Sequence, residues 1–267
     1  MVKMLAIDID GTLIDFEQQN ITSKVKDAVF KAKEKGVYVV LISGRNYYSM
    51  KRYLEDLEIE EYGITTNGGL VLDLKTKKRI IENDLDREIA IDVLKEIEKN
   101  QVSYSIFAGL HIYAPHKHRE DPTIKFLAKE KDNVKYIESG MTFVEENTIN
   151  KYMFVGKDRV LDAMHKTITS KHGDDVNVEY GFEHHMEVYP KSMNKGIALR
   201  GLADELDIDM KHVMAIGDAE NDISMLKAAG IGVAMGNAIK EVKDYADYVT
   251  KGIAEDGVAH AIEKYIL

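Results

Sequence analysis

Through the first seventy residues, short apolar runs alternate with amphipathic stretches. Met4-Leu-Ala-Ile7 opens the chain as a strand, and Val25, Ala28, Val29 and Ala32 then recur at helical spacing on a Lys-rich segment. Gly36 stands where a glycine ends a helix by taking a left-handed conformation. Val37–Ile42 reads as a strand buried on both faces, a helical stretch from Tyr47 to Leu57 follows, and Gly63–Thr66 leads into the turn Asn67-Gly68-Gly69. Continuous apolar strands alternating with helices predict a parallel sheet covered by helices.

Past Leu70-Val-Leu72 the pattern changes. Lys75–Lys78 makes a charged, solvated turn, and Arg79–Ile81 pairs back as a hairpin. From residue 83 to 187 the strands alternate apolar and polar positions, as in Ser103–Phe107 and Lys151–Val155. Helices are expected over Arg87–Lys99, after Asp121-Pro122, where an acid caps and proline opens the first turn, and over Arg159–Lys171. Half-exposed strands with helices on one side predict an inserted α+β domain. The α/β order returns after Pro190. Asn194 can cap a helix from Lys195 to Leu206, and His212–Ile216 is a buried strand ending in Gly217-Asp218. A helix over Asp222–Ala229, a strand at Ile231–Ala234 and a helix near Glu255–Tyr265 complete the chain. The expectation is a Rossmann-like open parallel sheet built from residues 1–82 and 188–267, interrupted by an α+β cap at 83–187.

Composition narrows the partners. The 267 residues carry a net charge of −10, so nucleic acid is not the expected partner, because phosphate backbones are bound by clustered Lys and Arg. The absence of cysteine excludes disulfides and thiolate chemistry and suits a reducing compartment. The N-terminus turns acidic too early for a secretory signal, and no apolar run approaches the ~20 residues a membrane helix needs. A cytoplasmic protein, a monomer or small homo-oligomer with no membrane partner, is expected.

Chemistry gathers at strand ends, where open parallel sheets bind ligands. Asp8 and Asp10, two residues apart beside Gly11, finish the first strand; Ser43, Thr65-Thr66-Asn67 and Asp218 finish three others. Asp222 lies four residues beyond Asp218, and Lys195 opens a helix. Four carboxylates against one lysine would repel an anionic substrate, so a divalent cation is implied, and oxygen-only ligands select Mg²⁺. A carboxylate attacking phosphorus, with a second acid serving the leaving oxygen and then water, is the chemistry such parts allow. The histidines of the inserted segment, among them His111, His116, His118, His184 and His185, lack the spacing of a metal site.

Asp8-x-Asp10-Gly-Thr12, Ser43-Gly44-Arg45, Asn194-Lys195-Gly and Gly217-Asp218-x-x-Asn221-Asp222 resemble the four ordered motifs of the haloacid dehalogenase superfamily. Thr66-Asn67-Gly68-Gly69 and the long insertion between the second and third motifs resemble its Cof-type subfamily IIB phosphatases. The resemblance implies that Asp8 is the nucleophile and that Asp10 is the general acid/base and a Mg²⁺ ligand through its backbone carbonyl. It makes Asp218 and Asp222 the rest of the metal site, Asp222 directly or through water. Ser43 and Lys195 would hold phosphoryl oxygens, and Thr12, Gly44, Arg45, Asn67 and Asn221 would join the substrate contacts. The expected function is Mg²⁺-dependent hydrolysis of a small phosphorylated metabolite, such as a sugar phosphate. A phosphomutase or phosphotransferase on the same core and a non-catalytic phosphometabolite binder are the alternatives. A dinucleotide oxidoreductase is disfavoured, since no G-x-G-x-x-G follows the first strand.

Overall fold

In the computed structural model of the chain, residues 1–15, 19–181 and 184–267 are described. They divide into two compact units, one of Met1–Arg45, Met50–Ile81 and Asn194–Leu267, the other of Asn46–Ser49 and Glu82–Met193.

The chain begins with β1 (Met4–Ile7), α1 (Ser23–Glu34), β2 (Tyr38–Ile42), α2 (Tyr47–Asp56), β3 (Tyr62–Thr65), β4 (Leu70–Asp73) and β5 (Arg79–Glu82), all in the first unit but for Tyr47–Ser49 and Glu82. Helix α1 starts where the Thr22 hydroxyl accepts the Val25 N–H and stops at Gly36, whose φ of +79° a side chain would resist. Its buried residues are the four the apolar spacing predicts. Strand β2 departs slightly from expectation, because Tyr38 at its entry is exposed while the rest is buried.

The second unit follows as α3 (Arg87–Lys99), β6 (Ser103–Ala108), β7 (His111–Pro115), α4 (Pro122–Leu127), β8 (Val134–Ile137), α5 (Gly140–Glu146), β9 (Lys151–Val155), α6 (Asp158–His172), β10 (Val176–Tyr180) and β11 (His185–Pro190). Its strands run in the order β10-β11-β9-β6-β7-β8, antiparallel except for the parallel pair β7–β8. Period-two alternation sends Tyr104, Ile106, Tyr152, Phe154, Met186 and Val188 to one face. There they pack with residues of α3, α5 and α6 in a single apolar core. The Asp121 carboxylate caps α4 ahead of Pro122, as the dipeptide predicts. Elements α5 and β8 were not expected; they are seven and four residues long, too short for periodicity to register.

The chain then returns to the first unit as α7 (Lys195–Glu205), β12 (Val213–Gly217), α8 (Ile223–Ala228), β13 (Ile231–Ala234), α9 (Lys240–Asp244), β14 (Tyr248–Val249) and α10 (Gly257–Tyr265). Its sheet runs β14-β13-β12-β1-β2-β3-β4-β5, parallel from β14 through β3, with β4 turning back antiparallel. Strand β1 is central: Met4 is paired with Val213 on one side and Tyr38 on the other. Met4, Ala6, Val40, Ile42 and Ile64 pack with Leu199 and Leu202 of α7 and Met225 of α8. The helix expected at Asp222 begins as a single 3-10 turn, Glu220–Asp222, before α8.

Candidate active site

Strands β1, β2, β3 and β12 end side by side, and the polar residues that follow them meet. Asp8 continues β1 by donating its N–H to the Ile216 carbonyl at 3.0 Å, which fixes it beside β12. The chain then turns at Gly11, whose φ is +86° and whose missing side chain leaves room for the Asp218 carboxylate. A methyl group at that position would overlap the Asp218 oxygens. Thr12, next along, donates its hydroxyl to Asp218 Oδ1 at 2.6 Å.

Lys195 is the centre of the charge arrangement. It is 1 % exposed, and its Nζ donates to Asp8 Oδ1 at 2.6 Å and to Asp222 Oδ1 at 2.5 Å. Helix α7 delivers it: the Asn194 side chain accepts the Ile197 N–H at 2.9 Å, so α7 starts with Lys195 as its first residue. Gly68, with φ of +94°, lets the β3–β4 turn lie against the Asn194 carbonyl, where a Cβ would overlap it. The other Asp222 oxygen accepts the N–H groups of Asp218 and Ala219 at 2.9 and 3.0 Å, fastening the turn after β12.

Asp8, Asp218 and Asp222 each bring a carboxylate oxygen within 4.8 Å of the others. Asp10 is placed differently. Both of its oxygens are held by Arg45, Nε to Oδ2 at 2.8 Å and Nη2 to Oδ1 at 2.6 Å. Such two-point guanidinium–carboxylate pairing fixes orientation as well as charge. Arg45, expected among the substrate contacts, therefore faces an acid of the site. It also changes the charge count: four carboxylates against Lys195 and Arg45 leave two negative charges, the amount one divalent cation neutralises.

Burial pushes the Asp8 carboxyl well above the usual range, with the nearby Asp222 adding to it and Lys195 opposing. Lys195 is held protonated, since two carboxylates outweigh the cost of burying its charge. Burial also raises Asp218, to about 6, against the opposing hydrogen bond from Thr12. Three crowded carboxylates, of which Asp8 and Asp218 resist ionisation by themselves, offer only oxygen donors and fit a hard divalent cation. Seen this way, the residues present suit the ion the sequence implied.

The remaining expected contacts line the same rim. Ser43 Oγ accepts the Arg45 N–H at 3.2 Å, and the Ser43 carbonyl accepts the Asn67 N–H at 2.9 Å. Asn221 Nδ2 donates to Asn67 Oδ1 at 3.0 Å, with Gly44 against the same amide. Asn237 was missed by the sequence reading. It follows β13, donates Nδ2 to the Gly11 carbonyl at 2.8 Å and accepts the Ile253 N–H at 3.0 Å, bracing the loop after β1. The strand-end rule applied to β13 would have found it. The histidines of the second unit are dispersed: His111 stacks on Tyr48, His184 meets Asp158, and His185 meets Thr123.

A family model described as haloacid dehalogenase-like hydrolase matches residues 5–262. Phosphatase YwpJ of Bacillus subtilis is 31% identical, over 98% of this chain and 99% of that protein. The 5-amino-6-(5-phospho-D-ribitylamino)uracil phosphatase YcsE of the same bacterium is also 31% identical, over 100% of this chain and 96% of that one. Among solved structures, a haloacid dehalogenase-like hydrolase from Bacteroides thetaiotaomicron is similar with a TM-score of 0.87 and 30% identity, covering 99% of both chains.

Proposed function

The chain belongs to the haloacid dehalogenase-like hydrolases and is a phosphatase of that family, and we propose that it hydrolyses a small phosphomonoester through a phosphorylated Asp8. The observation that carries this reading is Asp8 itself: a carboxylate 4 % exposed at the end of the central strand, with Lys195 on one oxygen.

In the proposed first step the free Asp8 oxygen attacks phosphorus, the Asp8–phosphorus bond forms, and the bond from phosphorus to the ester oxygen breaks. The departing oxygen takes a proton from Asp10. In the second step Asp10 removes a proton from water, whose oxygen attacks the same phosphorus and releases Asp8 and inorganic phosphate. Lys195, which already bonds Asp8, and the Ser43 hydroxyl would hold the phosphoryl oxygens as charge moves across them. Arg45, by holding both Asp10 oxygens, would orient the carboxyl that passes the proton. Asp8 and Asp218, with Asp222 adjacent and the Asp10 carbonyl, would hold Mg²⁺, which when bound offsets the charge between acids and phosphate.

The substrate class we assign is a phosphorylated metabolite such as a sugar phosphate; the named substrate of YcsE, a phosphorylated ribityl compound, is of that size. The lack of cysteine supports a cytosolic setting. The test is phosphate release from a panel of phosphorylated metabolites with and without EDTA, in the native protein and in Asp8→Asn. Release that needs Mg²⁺ and falls by at least about a thousandfold in Asp8→Asn is expected. Activity surviving that substitution within tenfold would remove the nucleophile from the scheme.

A further inference from the structure

The Asp10–Arg45 pair continues into a residue that no motif includes. Tyr53, on α2, is 1 % exposed, and the Arg45 guanidinium carbon lies 5.3 Å from the centre of its ring. A second guanidinium, that of Arg52, sits 4.4 Å from the same ring. Arg52 also donates to the Tyr53 hydroxyl and, at 2.9 and 3.1 Å, to the carbonyl and side-chain oxygens of Gln19. The ring is therefore anchored on one side while it supports Arg45.

Arg45 needs such support. Its side chain and that of Asp10 are 22 % and 29 % exposed; the two-point pairing orients each group against the other but does not fix the pair relative to the strand ends. A long arginine also loses much rotamer freedom when fixed. The electron-rich face of a buried aromatic ring attracts a guanidinium more strongly than an exposed ring does. We propose that Tyr53 is a positioning residue for the reaction: its ring face fixes Arg45, and Arg45 in turn fixes the carboxylate of Asp10. The inference rests on the reading of Asp10 as acid and base. It adds to that reading a residue eight positions beyond the Ser43-Gly44-Arg45 motif that never touches substrate.

Plain packing of Tyr53 in the core would give the same picture, so the test must change the ring's electrons while keeping its shape. Position 53 is made Phe, then 4-fluoro-, 3,5-difluoro- and 3,4,5-trifluorophenylalanine, which weaken the negative ring face stepwise at nearly constant volume. Turnover of the best substrate in the panel is measured for each with Mg²⁺. Tyr53→Phe is expected within about threefold of the native protein, and kcat should then fall with each fluorine to about tenfold at the third, with KM within about twofold. A flat kcat across the series overturns the proposal, because packing alone is insensitive to fluorination. So does a loss confined to KM, which would make Arg45 a substrate contact. Tyr53→Phe as poor as the trifluoro ring would transfer the role to the hydroxyl bond with Arg52. A flat series in an active enzyme refutes the Tyr53 role alone, whereas a native protein releasing no phosphate from any ester refutes the phosphatase reading and this role with it.

Discussion

At the scale of single residues, the site is governed by what burial does to a carboxylate. Asp218 is raised to about 6 because water is kept from it, so between pH 4 and 6 the folded protein holds a proton that the unfolded chain has lost. The sign is that of a penalty: it is absent below the ordinary carboxylate range, grows as pH rises, and is complete above about 6. A cation that needs the ionised form must displace that proton. Calorimetric titration of the metal-free protein with MgCl₂ should give an affinity that weakens by about tenfold per unit as pH falls below 6, from the Asp218 proton alone. The raised Asp8 carboxyl acts in the same direction. Affinity independent of pH from about 5 to 8 would mean that the ion displaces no proton from Asp218. The bridge made by Lys195 explains how Asp8 and Asp222 can be so close while buried. Each carboxylate alone would be too costly to bury, and the shared ammonium offsets part of that cost.

At the scale of elements, the helix α7 is the part whose placement matters most. Its first residue must be Lys195 and its start is fixed by the Asn194 cap, so a local hydrogen bond sets the position of a charge. Asn194→Ala should lower the unfolding free energy by about 1 kcal/mol, read from urea denaturation, through the loss of one N-cap. It should also reduce phosphate release more than an equal loss of stability elsewhere, such as Asp121→Ala at the cap of α4. Equal activity in the two variants would show that the α7 cap serves stability alone. The short 3-10 turn Glu220–Asp222 carries a similar lesson. The sequence suggests a helix from Asp222, but its carboxylate is drawn back to the Asp218 and Ala219 N–H groups, and the regular helix waits until Ile223.

At the scale of the whole molecule, the chain is a doubly wound α/β unit assembled from both ends of the sequence and a second, α+β unit with its own mostly antiparallel sheet and core. Exchanging residues 83–187 for the matching segment of YwpJ should change which phosphomonoester is turned over fastest, while the requirement for Asp8 persists. An unchanged substrate ranking would move specificity to the first unit. Periodicity and strand-end polarity made most of this legible from the sequence. The strands β1, β2 and β12 and the helices α1, α3 and α7 follow from local patterns of apolar spacing, caps and glycine. The family is legible as well, because its motifs are local: each is a few residues at the end of one strand or the start of one helix. Pairings between such ends are not local. Lys195 lies 187 positions from Asp8 and Thr12 lies 206 from Asp218, and nothing in either neighbourhood specifies the other. Those contacts, the capture of Asp10 by Arg45 and the ring of Tyr53 behind it exist only because sheet register and helix packing bring separated segments within hydrogen-bonding range. The sequence by itself determined which groups stand at the rim and their type; tertiary structure alone decided which of them touch, since charge pairing depends on distance in space and not along the chain.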